Sequence, residues 1–159
     1  MSNLDRWHNP AQLQRDHDDA ICLIDRQGMI RCTDEYWIAE AKGVFLKIIV
    51  ALWDVVMSST LSLVYCYDQS AQPPHLAKCE GYSSVSTHLP SGRQVSSIGI
   101  SIKALQGGDS HAALILLHEL THILSSFPSE HGAAFHERLD KLIEQYNMST
   151  EASVKNDYQ

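Results

Sequence analysis

Two histidines, His118 and His122, are separated by three residues, and Glu119 directly follows the first of them. In an α-helix, positions four apart lie one turn apart on the same face, so these imidazoles can converge on one metal ion if the segment is helical. At about 100° per residue, the opposite side of such a helix is apolar; it carries Leu116, Leu120, Ile123 and Leu124. The sequence therefore predicts a helix with a core face and a ligand face.

Glu119 would project beside the metal and not onto it, because it is rotated about 100° from His118 around the helix. A zinc ion lowers the pKa of a bound water towards about 7, and a neighbouring carboxylate can accept the proton as that water attacks a carbonyl. The carboxylate can then deliver the proton to a leaving amine. The motif therefore predicts Zn²⁺ as cofactor, His118 and His122 as ligands, and Glu119 as the general base of peptide hydrolysis.

A catalytic zinc usually has three protein ligands and one open position, so a third ligand has to come from elsewhere in the chain. His131, Glu137 and Glu144 are the downstream candidates. On a final helix predicted from His131 to Asn147, the apolar stripe shares a side with His131, whereas both glutamates face away from it. We therefore expect His131 to be the third ligand; a glutamate in that role would indicate a gluzincin-like class. Pro128 stands where a metzincin-type motif has its third histidine, which excludes that class.

The rest of the chain predicts an α+β fold in which N-terminal helices precede a small mixed or meander sheet, the motif helix and a C-terminal helix. Asn9-Pro10 is typical of a helix start and Gly28 of a stop, and Thr33 can cap a second helix that continues to Met57. The motif helix is predicted from about His111 to Ser125, after capping groups in residues 107–110.

Short segments rich in β-branched and aromatic residues predict three strands between these helices. They are Leu61–Tyr67, Tyr82–His88 and Gln94–Leu105. Turn-forming residues separate them, at Gln72-Pro73-Pro74 and at Leu89-Pro90-Ser91-Gly92. The order of the strands in the sheet is left open by this pattern.

The composition is that of a single globular domain. The chain has 159 residues, 44% of them hydrophobic, and we assign 1–149 to the domain and 150–159 to a polar, frayed tail. A formal net charge of -7 argues against a nucleic-acid or anionic-lipid partner, since both need clustered Lys and Arg. The most apolar stretch, Gly43–Met57, contains Lys47 and Asp54 and is shorter than the roughly 20 residues that span a bilayer. Without a basic-then-apolar leader at the N-terminus, we expect a cytoplasmic protein.

Several other polar side chains could act near the motif helix. His111 lies about 10 Å along the helix axis from His118. This distance predicts a helix cap, or a residue that contacts the metal ligands and not the metal. Arg138 shares the inward side of the last helix and could steady an oxyanion, although a salt bridge fits it better. Tyr146 is predicted to be a core residue, and His88 and His136 to be solvated.

The two histidine segments together resemble a known family. The run His118-Glu119-Leu120-Thr121-His122 is followed, after a loop, by His131-Gly132-Ala133-Ala134-Phe135. This order is similar to the SprT-like branch of the zincin metallopeptidases, in which an H-E-x-x-H helix precedes a third histidine in an H-G-x-x-F or H-G-x-x-W segment. The resemblance implies a zincin-like fold, the three histidines as zinc ligands and the glutamate as general base. It also implies that the strand at Gln94–Lys103 lies at the sheet edge and pairs with an extended substrate.

These features predict a zinc metallopeptidase that acts on a peptide or protein substrate. Two alternatives share the motif: a non-catalytic binding or regulatory module with a zinc-stabilised zincin fold, and a zinc amidase that acts on a non-peptide amide. A water in the fourth coordination position would indicate an enzyme, whereas a protein side chain there would indicate a structural or inhibited site. The identity of the substrate and the oligomeric state are left open.

Overall fold

The chain begins with a helical region of two segments. In the computed structural model, which describes residues 2–69, 79–125 and 131–157, α1 (Asn3–Trp7) precedes α2 (Pro10–Ile21), and α2 continues as a π-helical turn, Cys22–Arg26. The predicted helix start is confirmed, because the Asn9 side chain accepts a hydrogen bond from the backbone N–H of Gln12 at 3.1 Å. Trp7 donates its Nε1–H to the carbonyl oxygen of Ala51 at 3.2 Å, which ties α1 to the end of the later helix Glu35–Ala51.

The second predicted helix is divided into α3 (Glu35–Ala51) and α4 (Trp53–Ser58) by an irregular residue, Leu52. Its predicted cap is wrong by one position. Asp34 is the cap, and its side chain accepts a hydrogen bond from the backbone N–H of Tyr36 at 2.9 Å. Thr33 instead donates its backbone N–H to the carbonyl of Cys66 at 3.1 Å, so it still belongs to the sheet pairing that precedes the helix.

Within the described ranges, four strands form one mixed sheet in the order β1-β2-β4-β3. The strands β1 (Ile30–Cys32), β2 (Leu61–Tyr67) and β4 (Arg93–Ser101) are parallel, whereas β3 (Gly81–His88) pairs antiparallel with β4. The predicted strands are therefore present, and the sheet is mixed and not a meander, which needs antiparallel neighbours throughout. The short strand β1 is additional, since three residues carry no readable alternation. The predicted Gln72-Pro73-Pro74 loop lies outside the described residues.

The strand β4 lies inside the sheet, between β2 and β3, so the expectation that Gln94–Lys103 forms the edge strand is wrong. The turn after β3 sends the chain back between β2 and β3, and the edge strand on this side is β3. The predicted strand also ends before Leu105. Ser101 caps the short helix α5 (Ile102–Gln106), because its Oγ accepts a hydrogen bond from the backbone N–H of Ala104 at 3.0 Å.

Two longer helices complete the fold. The motif helix is α6 (Asp109–Leu124), which begins two residues before the predicted start, with Gly108 as its N-cap and no side-chain cap hydrogen bond. The C-terminal helix is α7 (Ala133–Asp157). It begins after His131 and continues past the predicted end, and its extension buries Ala152, which is 4% exposed. The residues expected to form a frayed tail are thus helical up to Asp157.

The core lies between one face of the sheet and the helices. Four of its sheet side chains are at most 1% exposed; they are Val64 and Cys66 on β2, and Ile98 and Ile100 on β4. They belong to the same buried cluster as Phe45 of α3 and Leu117 of α6. The α+β class is therefore confirmed, with α6 in contact with both β3 and β4. None of the helices in the described ranges is long and apolar enough to cross a membrane.

Candidate metal centre

The helix α6 presents His118 and His122 on one face, with ring centroids 5.0 Å apart. Both side chains are half-buried. The opposite face is buried as predicted: Leu116 is 2% exposed, Leu120 1% and Ile123 8%. The helical spacing in the sequence therefore produces the two-faced helix that the motif requires.

The third predicted residue, His131, lies beside these two histidines. Its Nε2 atom is 3.0 Å from Nε2 of His122, and its ring centroid is 4.8 Å from that of His118. One potential ligand nitrogen from each of the three residues lies within 4.8 Å of the others. His131 precedes α7, so the helical-wheel argument that selected it assumed the wrong local structure. The residue is nevertheless brought to the cluster by the entry of the chain into α7.

Phe135, in the first turn of α7, packs against the buried side of the cluster. Its ring centroid is 5.2 Å from that of His118, 4.6 Å from that of His122 and 4.7 Å from that of His131. It is only 3% exposed. The two alternative ligands point elsewhere: Glu137 and Glu144 are exposed, and Glu137 lies 3.6 Å from the Lys141 ammonium. The structure thus brings His131, and neither glutamate, to the motif helix.

The donor set of this cluster fits a zinc ion. Two nitrogen ligands, each about 2.1 Å from a tetrahedral zinc, lie about 3.4 Å apart, close to the distance between Nε2 of His122 and Nε2 of His131. Metal ligation needs neutral imidazole. Burial lowers the pKa of His118, and the neighbouring His122, His131 and His136 lower it further, so the neutral form is favoured. Three nitrogen donors, one from each histidine, therefore lie within 4.8 Å of one another.

Glu119 is buried beside the cluster, with 7% of its surface exposed. Burial raises the pKa of Glu119 to about 7, and a hydrogen bond with the Ser83 side chain acts in the opposite direction. A carboxyl group that titrates near neutral pH can both accept and release a proton there. Its position and its environment suit the transfer of a proton beside the three histidines.

The edge strand β3 lies against α6 at this point. A Cβ atom at Gly81 would be 2.6 Å from Cγ2 of Ile115 and 3.4 Å from Cγ of Glu119. The absence of a side chain at Gly81 is thus what allows the strand and the helix to approach so closely. Neither Gly81 nor Ser83 was among the predicted site residues. A lone glycine at the start of a strand is a signal of close backbone approach, but it does not say which element approaches.

The other predicted residues lie around the cluster in different roles. His111 is neither a cap nor in contact with the histidines; its Nε2 is 3.1 Å from Oε1 of Glu80, just before β3. Arg138 donates hydrogen bonds from Nη1 to the carbonyl oxygen of Leu124 and to Oγ of Ser125, 3.4 Å away in the second case. It therefore caps the end of α6, and among the described residues no carboxylate forms the predicted salt bridge with it.

Three further predictions concern side chains of lesser weight. Tyr146 is half-buried and packs against the core, as expected. His88 and His136 are exposed, also as expected. His136 nevertheless lies near the metal centre, because its ring centroid is 6.4 Å from that of His131. This ring contact brings His136, on the exposed side of α7, next to the cluster.

No protein-family model, curated protein or solved structure matches this chain. The resemblance to SprT-like zincins therefore stays a prediction. What the geometry provides is a set of three nitrogen donors from two segments, an apolar wall behind them, and a buried carboxyl group beside them. Such a set can bind a transition-metal ion and transfer a proton next to it.

Proposed function

We propose that the protein is a zinc-dependent metallopeptidase of the SprT-like zincin type, with a peptide or protein segment as substrate. One observation carries this proposal. Three imidazoles, two from α6 and one from the segment before α7, converge at one point beside the buried carboxyl group of Glu119. A chance H-E-x-x-H string on a surface helix would have no reason to meet a third histidine from a separate segment.

His118, His122 and His131 would hold the zinc ion, which when bound lowers the pKa of a coordinated water towards about 7 and polarises a substrate carbonyl. Phe135 packs against all three rings and limits their movement. Orientation of ligands by their surroundings is a large part of metal affinity. The packing of Phe135 therefore favours a defined metal site and not three side chains that move independently.

Glu119 would act as the general base and then as the general acid. Its carboxylate accepts a proton from the attacking water, and the same proton passes to the nitrogen of the leaving amine as the C–N bond breaks. The burial that raises its pKa to about 7 makes both transfers accessible near neutral pH. The carboxylate is regenerated at the end of each cycle, as a catalyst requires.

The edge strand β3 is the surface on which we place the substrate. Among the described residues it pairs with β4 alone, and its other edge is open. The segment Gly81–His88 contains no Lys, Arg, Asp, Glu or Pro, the residues with which proteins usually block an exposed edge. An extended peptide could add to it by backbone hydrogen bonds. The bond to be cleaved would then lie near Glu119, whose Cγ is 3.4 Å from the position that a Cβ atom at Gly81 would take.

The alternative, a non-catalytic module with a zinc-stabilised fold, predicts a site closed by four protein ligands. In the part of the chain that the structure describes, the cluster consists of three histidines. A carboxyl group buried next to the ligands has an evident use in proton transfer and none in a purely structural site. Both features favour the enzyme over the binding module.

Glu119→Gln tests the proposal directly, because the amide keeps the size of the side chain and cannot accept the proton. Metal analysis of purified protein should give about one zinc per chain before and after the change. Cleavage of a proteome-derived peptide mixture, followed by mass spectrometry, should fall by about 100-fold or more. Glu144→Gln, on the exposed side of α7, is the matched control and should leave both quantities unchanged. Equal cleavage by the two variants, or purified protein without zinc, would overturn the proposal.

A further inference from the structure

We infer that Ser83 of β3 is a positioning residue for Glu119, so that the edge strand sets the orientation of the general base. The catalytic part of this inference rests on the proposed function, whereas the contact itself does not. Ser83 lies two residues from Gly81 on the face of β3 that packs against α6, where its hydroxyl can donate a hydrogen bond to the Glu119 carboxyl group. The site therefore extends beyond the two histidine segments.

The register of the sheet places Ser83 on the face that α6 covers. Ser83 is paired with Ile98 and Gly81 with Ile100, and both isoleucines are buried in the core under the helices. Since side chains alternate along a strand, Ser84 points to the opposite face. There its Oγ lies 2.6 Å from Oγ of Ser97. Two adjacent serines thus differ in the one property of interest, contact with the base.

Gly81 makes the contact of Ser83 possible. A serine hydroxyl is one bond from Cβ and has a short reach, so the strand has to lie close to the helix. The ideal Cβ position at Gly81, 2.6 Å from Cγ2 of Ile115, shows that any side chain there would push the two elements apart. The glycine and the serine, two positions apart on one strand face, therefore act together on Glu119.

The hydroxyl has a specific task because Glu119 is almost fully removed from solvent. Bulk solvent contributes little to the orientation of this carboxylate, and a glutamate side chain has several rotatable bonds whose freedom has to be restricted. A donated O–H fixes the direction of one carboxylate oxygen. Loss of the donor should change the rate of the chemical step more than the binding of substrate, since misplacement of a reacting group acts on kcat.

Three variants separate positioning from a merely structural role. Ser83→Ala removes the donor, Ser83→Thr keeps a hydroxyl in a residue well suited to a strand, and Ser84→Ala is the control on the opposite face. With the best peptide from the cleavage screen, Ser83→Ala should lower kcat by about 10- to 100-fold, the range expected when a hydrogen bond to a charged group is lost. KM and zinc content should be unchanged. Ser83→Thr should recover most of the rate. Ser84→Ala should keep the kcat of the parent protein, because its side chain faces away from Glu119 and a peptide would pair with β3 through backbone groups alone.

The inference is overturned if Ser83→Ala has the kcat of Ser84→Ala, if Ser83→Thr is as slow as Ser83→Ala, or if the loss lies in KM or in zinc content. A second measurement does not depend on activity. Urea unfolding of Ser83→Ala, Glu119→Leu and the double variant forms a cycle that isolates the interaction of the two side chains. Ser83→Ala should lower the urea midpoint in the parent and leave it nearly unchanged in the Glu119→Leu background.

Additive midpoint shifts in that cycle would show that Ser83 and Glu119 do not interact, and the inference would then be wrong whatever the activity. If the parent protein cleaves no peptide but the shifts are non-additive, the proposed function fails while the contact stands. If cleavage occurs and the shifts are additive, the proposed function stands and the inference fails. The two proposals are therefore distinguished by the same set of variants.

Discussion

Two walls of the histidine site are specified in different ways. The α6 wall carries His118, Glu119 and His122 within five consecutive residues, and the regular helix alone brings the two imidazoles to one face. The β3 wall carries no ligand. It contributes Gly81 and Ser83, whose proximity to Glu119 depends on how the sheet and the helix pack. The positions of His118, Glu119 and His122 are thus set by one helix, whereas the surroundings of Glu119 are set by the packing of β3 against α6.

The difference between the walls predicts that changes on each will act on different properties. Changes to the α6 wall should act on the metal, because it holds two of the three donors. Changes to the β3 wall should act on the general base and on the packing between strand and helix, with the metal retained. A variant of β3 that lost zinc would show that the two walls are not separable in this way.

The largest effect is expected from His122→Ala. The imidazole of His122 lies closest to that of His131, with the two Nε2 atoms 3.0 Å apart, so its removal breaks the cluster at its centre. Since a bound zinc ion derives several kcal/mol from each ligand, we expect zinc affinity to fall by about 100-fold or more. Competition with a chromophoric chelator measures it. His131→Ala should give a loss of similar size if all three residues are ligands.

Both controls for this loss lie on β3. His88→Ala removes an exposed imidazole at the far end of β3 and should not change zinc affinity. Ser83→Ala should not change it either. Unchanged zinc affinity in His131→Ala would show that this residue is not the third ligand, despite its position.

The next largest effect is expected from Gly81→Ala, which tests the β3 wall through packing. The new methyl group would meet Cγ2 of Ile115 at 2.6 Å, too close for any real contact. Insertion of a methyl group into a well-packed interface typically costs about 1–3 kcal/mol, and we expect a decrease of that size in the free energy of unfolding, measured in urea.

Gly43→Ala is the matched control for Gly81→Ala, since Gly43 lies inside α3 and an added Cβ atom would have no neighbour within 4 Å. Alanine is preferred to glycine inside a helix, so this change should raise the free energy of unfolding by about 0.5–1 kcal/mol. The prediction requires that Gly81→Ala lowers the free energy of unfolding and that Gly43→Ala raises it. A stabilising effect of Gly81→Ala would mean that β3 and α6 are not in close contact at this point.

The parts of the fold that the sequence predicts are those set by neighbours along the chain. The Asn9 cap, the strand Leu61–Tyr67 and the two-faced helix with His118 and His122 all follow from spacing within one element. The third histidine was also found, but by an argument that placed it inside α7 when it precedes that helix. His131 nevertheless lies beside His118 and His122, because the chain passes the cluster just before it enters α7.

The parts that could not be predicted depend on partners distant in sequence. Thr33 is a good cap by residue type, yet its N–H is taken by Cys66 across the sheet, and Asp34 takes its place. Ile102 continues the alternation of Ile98 and Ile100, yet the Ser101 cap starts a helix there. The edge strand is β3 and not the expected β4, because the alternation of side chains along a strand does not determine the order of strands in the sheet. For the same reason, the position of Ser83 beside Glu119 could not be predicted from the sequence.

The smallest effect is expected from Arg138→Ala, on α7, which tests whether the α6 wall also needs support from outside its own helix. Arg138 donates to the carbonyl oxygen of Leu124, one of the unpaired acceptors at the end of α6, close to His122 in sequence. Loss of such a hydrogen bond should lower the free energy of unfolding by about 1 kcal/mol. Lys141→Ala, one turn along α7 with its side chain 69% exposed, removes only a surface ion pair and should cost about 0.5 kcal/mol or less. If Arg138→Ala also weakens zinc binding while Lys141→Ala does not, the end of α6 has to be held for the ligands to converge, and local helix geometry alone is not sufficient for the α6 wall.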